Sequence, residues 1–68
     1  MKPFIKIPIL NHKGEECPAI LFLDGIIGLA EMSDSDGTEI QLINGPGIFT
    51  TKLKMKDVFA LMCMASEN

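Results

Sequence analysis

The chain has no tryptophan, no tyrosine and no arginine, and among its 68 residues only one histidine and two cysteines. General acid and base catalysis needs titratable groups gathered in a pocket. His12 instead falls in the most polar turn of the sequence, Asn11-His12-Lys13-Gly14-Glu15-Glu16, where a solvated imidazole is expected. Cys17 follows it closely enough to draw a nucleophile and base pair, but both lie on one short turn with no third group to orient the base. The sequence therefore predicts a protein that is not an enzyme, with no catalytic residues and no cofactor. Structural zinc needs about four Cys, His or carboxylate ligands at finger-like spacing, and one His, Cys17 and a distant Cys63 do not supply them. Asp34-Ser35-Asp36-Gly37 resembles the opening of a calcium loop but lacks the third carboxylate and the closing glutamate, so it reads as a turn. Gly45-Pro46-Gly47 has no lysine or helix start behind it and is not a phosphate loop.

Long apolar runs are also missing. The longest is Val58 to Ala65, far short of the ~20 residues that span a bilayer. The opening MKPFIKIPIL carries a lysine before apolar residues, but Lys6, Pro8 and the polar turn interrupt it, so no secretory leader is expected. Two cysteines in such a chain read as free thiols in a reducing compartment, and the expected location is cytoplasmic.

What is present is a large apolar fraction, 47%, against 22% charged residues, a balance that folds rather than remains disordered. Residues 1 to 68 form one small domain, since a chain this short buries only ~60% of its unfolded surface around a single core. Such a core supplies ~3–5 kcal/mol, which small folds commonly supplement with disulfides, metal or association. With the first two set aside, the expectation is a homo-oligomer.

The pattern along the chain is mostly period two. Residues 4 to 10 place Ile5, Ile7 and Ile9 on one side and Lys6 and Pro8 on the other, a strand that is expected to be an edge or to turn its Pro8 side to solvent, because proline cannot donate to a ladder. Residues 19 to 23 are apolar on both faces and predict a central strand. Asp24-Gly25 predicts a hairpin into a third strand over 26 to 32, bent or bulged at Gly28. Thr38 to Ile43 alternates most clearly, with Ile40 and Leu42 inward and Glu39 and Gln41 outward, and Asn44-Gly45-Pro46-Gly47 reverses the chain into residues 48 to 53. From about residue 54 the period becomes helical, with Met55, Val58, Phe59 and Met62 on the core stripe and Leu61 and Ala65 beside it. The predicted fold is α+β, a small antiparallel β-meander of about five strands closed by one C-terminal α-helix.

Charge points to the candidate surfaces. The formal net charge of −3 disfavours non-specific nucleic-acid binding. Glu31, Asp34, Asp36 and Glu39 surround one loop, while Lys52, Lys54 and Lys56 carry the chain into the helix, where each lysine in the first turn opposes the helix dipole at a cost of ~0.3–1 kcal/mol. An anionic partner, or the acidic loop of a neighbouring copy, would offset that cost. Of the five methionines, Met55 and Met62 fit the core, and Met64 falls off the stripe as a candidate contact.

The order of motifs resembles the FlbD-type small proteins of flagellar operons and their phage-encoded relatives. The matching residues are Leu10, Asn11, Gly14 and Glu16; Ile20, Asp24 and Ile26 or Ile27; Gly37, Thr38, Ile40, Leu42, Asn44 and Gly45; and Asp57-Val58. The chain departs from that pattern in its Pro46-Gly47 insertion and in Lys54, where the family's helix typically opens with serine. The resemblance brings no catalytic residues. The same rhythm of strands, hairpins and helix occurs in LytTR-type DNA-binding domains, which bind through basic loops that this chain lacks. The leading expectation is a self-associating protein-interaction or assembly module of phage, mobile-element or bacterial accessory type. The alternative is a small regulator that binds nucleic acid through Lys52, Lys54 and Lys56.

Overall fold

In the computed structural model, which describes residues 2–33, 36–43 and 47–67, the alternating segments form five antiparallel strands in two sheets, and the helical segment forms one helix. The fold is α+β, a β-meander with a C-terminal helix. β1 (Phe4–Leu10) pairs with β2 (Glu16–Phe22), and β3 (Ile26–Glu31), β4 (Thr38–Leu42) and β5 (Ile48–Thr51) form the second sheet in that order. α1 spans Met55–Ser66.

The β1–β2 hairpin is closed by Asn11, whose Oδ1 accepts from the backbone N–H of Lys13 at 2.9 Å and of Glu15 at 3.0 Å. This Asx-type turn needs Gly14 at φ +81°, a left-handed conformation that costs glycine little. Pro8 lies directly opposite Pro18. Neither has an N–H to exchange, so the pair occupies a site where antiparallel strands make no mutual bond and both residues turn their backbone outward. Pro8 thereby directs its carbonyl toward β5.

Three expectations are corrected here. Asp24-Gly25 does not make a hairpin: Leu23–Gly25 is one 3₁₀ turn that carries the chain from the first sheet to the second. The turn is held at both ends, by Leu23 N–H donating to the Pro3 carbonyl at 3.0 Å and by Ile43 N–H donating to the Gly25 carbonyl at 2.9 Å. β2 is not a central strand either. It begins at Glu16, includes Cys17 and Pro18, pairs with β1 alone, and leaves Ile20 and Phe22 exposed. Cys17 is thus a half-buried strand residue and not part of the turn. Phe59 is the third: it is 59% exposed and does not join the core stripe.

The bulge expected at Gly28 is present, as a register shift between Ile26 and Gly28 against β4. The tight reversal expected over 44 to 47 lies mostly outside the described residues. Among the described residues the buried apolar core is Ile5, Ile7, Leu21, Ile40 and Val58, drawn from both sheets and the helix. Val58 is its only contribution from α1, with Leu61, Met62 and Ala65 half-buried against it, while Met55, expected in the core, is half-buried but not packed on it. Gly37 is buried where a side chain would meet the Thr51 carbonyl, so glycine lets the chain entering β4 pass close to β5.

Candidate groove between β3 and the helix

Two buried threonines fix the place where α1 leaves the sheet. Thr38 and Thr51 stand opposite each other on neighbouring strands and are fully buried. Thr38 Oγ1 donates to the Leu53 carbonyl at 2.8 Å, and the Leu53 N–H donates to Thr51 Oγ1 at 3.3 Å, so both backbone groups of Leu53 are held. Thr51 Oγ1 donates in turn to the Pro8 carbonyl at 2.7 Å, joining the two sheets where proline has no N–H to offer. The helix therefore starts from a defined point, runs beside the edge strand β3, and leaves an open groove between them of about 730 Å³.

The groove is apolar inside and charged at its rim. Ile26, Ile27 and Leu29 line it from β3, and Met55, Phe59 and Met62 from α1. Glu31 and Asp36 reach its edge from the end of β3 and the following loop, and Lys54 and Lys56 from the start of the helix. The acidic and basic groups, separate in the sequence, thus share one rim. Ile27 is 64% exposed because the bulge turns it out of the alternating register.

The remaining candidate residues lie elsewhere. Lys52 is exposed ahead of the helix and Met64 is exposed on α1, and neither lines the groove. Glu39 stands opposite Ala30 and Thr50 on the other face of the sheet, half-buried and apart from Glu31. Asp34 lies outside the described residues. Ile27 and Phe59 were missed by sequence reasoning. The bulge-prone Gly28 is the signal for the first. For the second, no local signal distinguishes a buried from an exposed member of a wide apolar helix face.

A second apolar surface covers the outer face of the β1–β2 hairpin, where the rings of Phe4 and Phe22 meet edge to face with centroids 6.2 Å apart. Ile20 extends it. His12 is exposed in its turn, Cys17 and Cys63 are free, and no group of three or more His, Cys, Asp or Glu among the described residues is placed to hold a metal ion. No helix of the described residues is long and apolar enough to cross a membrane.

Lys54 is the N-cap of α1 and makes no side-chain capping bond, as expected of a group without an acceptor. Replacing Lys54 by serine supplies the acceptor and removes a charge that opposes the dipole, and is expected to stabilise the fold by about 1 kcal/mol. A urea melt of the two proteins at equal concentration measures it, and an unchanged midpoint would contradict the capping argument.

Comparison with family models, with curated proteins and with solved structures finds no match for this chain.

Proposed function

We propose that this chain is a non-enzymatic protein-interaction or assembly module that associates with itself. The observation that supports it best is the groove between β3 and α1: an apolar trough beside an edge strand, with both signs of charge at its rim and Ile27 and Phe59 exposed along it. Edge strands and apolar grooves of this kind are the surfaces on which peptides and partner subunits dock. The sparse core argues the same way, since five buried apolar residues among those described leave a small domain with little stability to spare. Net charge and rim composition weigh against the nucleic-acid alternative, because Lys54 and Lys56 share their surroundings with Glu31 and Asp36.

Two measurements test the reading. Sedimentation at micromolar concentration is expected to give a mass above that of the monomer. Binding to DNA and RNA at two salt concentrations is expected to be weak at both. A strict monomer with tight nucleic-acid binding that falls steeply with salt would replace this reading with the alternative.

A further inference from the structure

The charges on α1 run against its own dipole. Lys54 and Lys56 stand at its N-terminal end, where only Asp57 is acidic, while its last turn contains no basic residue and is followed by Glu67. An isolated helix prefers the reverse arrangement. The exposed face of the same helix has a second regularity. Lys56, Ala60, Cys63 and Glu67 recur at spacings of four, three and four, all exposed, with Phe59 on one flank and Met64 on the other. That is the spacing of a helix-pairing seam, and it lies on the side of α1 turned away from Val58.

We infer that two copies of this chain pair through this face of α1, with the helices antiparallel about a twofold axis near residues 61 and 62. The inference rests on the self-association reading above and adds the surface and its geometry. In this arrangement Lys56 of one copy meets Glu67 of the other, twice by symmetry, and Ala60 meets Cys63. These short side chains let the helix axes approach to about 8 Å. Each basic N-terminus then lies against the partner's negative helix end, so the charges unfavourable within one helix become favourable between two. A parallel pair would instead set Lys56 against Lys56 and Glu67 against Glu67. Because the twofold keeps each flank on its own side, the two Phe59 rings fall on the same side of the seam and the two grooves run into one another.

The test is a charge exchange read by sedimentation equilibrium. Lys56→Glu and Glu67→Lys are each expected to weaken the dimer about tenfold at low salt, and the double variant to restore it, with the differences shrinking in 1 M salt. Either single change favours the isolated helix, and Glu67→Lys lies away from the rim that Lys56 shares with Glu31 and Asp36, so its effect on the dimer is read apart from any effect on the groove. Phe59→Asp is expected to weaken it about thirtyfold or more. A wild-type dimer unmoved by either single reversal, or a double variant no better than the singles, overturns this pairing while self-association stands. A wild-type monomer at micromolar concentration overturns both.

Discussion

Ile40→Ala is expected to lower the unfolding free energy by about 3–4 kcal/mol, the range for cutting a fully buried isoleucine back to alanine in a core that cannot collapse around the gap. Ile40 has no exposed surface and sits in β4, the middle strand of its sheet, between Leu29 and Phe49. Neighbours on both sides are fixed by ladders, so relaxation into the cavity is limited. A core of this size supplies ~3–5 kcal/mol in all, so the variant should sit near its unfolding midpoint at room temperature. Urea denaturation followed by circular dichroism measures the change. Protein concentration must be held equal, because association adds to apparent stability. Ile48→Ala is the control: Ile48 is half-exposed on the outer face of the same sheet, and the change should cost under about 0.5 kcal/mol. Equal losses for the two would mean that the buried set does not govern stability.

The inward place of Ile40 was legible in the sequence, since alternation alone sets it, and the same alternation put Ile5, Ile7 and Ile9 on one side of their strand, but Ile48 was assigned no face. Which strand pairs with which was not legible. Period two records the faces of a strand and is silent about its neighbour, and Asp24-Gly25 suits a hairpin as well as it suits the 3₁₀ turn that separates the sheets. The bonds that decide between them, to Pro3 and from Ile43, come from distant positions in the chain. Splitting the meander made β2 an edge and left Phe22 and Ile20 outside.

The C-terminal helix is present as expected, and Phe59 was misplaced on it, for a related reason. Its apolar face is wider than the ground two small sheets can cover, so Val58 is buried and Phe59 is not. The charged residues at the groove were recognisable as candidates. Their meeting was not, because Glu31 and Lys54 are brought together only by the position of α1 on the sheet.

That position depends on Thr51, and Thr51→Val is expected to cost about 2–3 kcal/mol although it preserves the shape of the side chain. The hydroxyl has two roles at one buried point: it donates to the Pro8 carbonyl and accepts from the Leu53 N–H. A methyl group in its place leaves both without that partner, and an unsatisfied buried backbone group costs roughly 1–3 kcal/mol. The Pro8 carbonyl has no easy substitute from β5, because the proline pair has already turned that edge of β1 away from its own hairpin. Thr51→Ser keeps the hydroxyl and should lose less than about 1.5 kcal/mol, the cost of one buried methyl. Hydrogen exchange adds a local readout, since the Leu53 amide should lose protection in Thr51→Val beyond the global change and keep it in Thr51→Ser. Thr38→Val removes the bond to the Leu53 carbonyl alone and should fall between them. If valine and serine at position 51 proved equally stable, the hydroxyl would not be what joins the two sheets and sets the start of the helix.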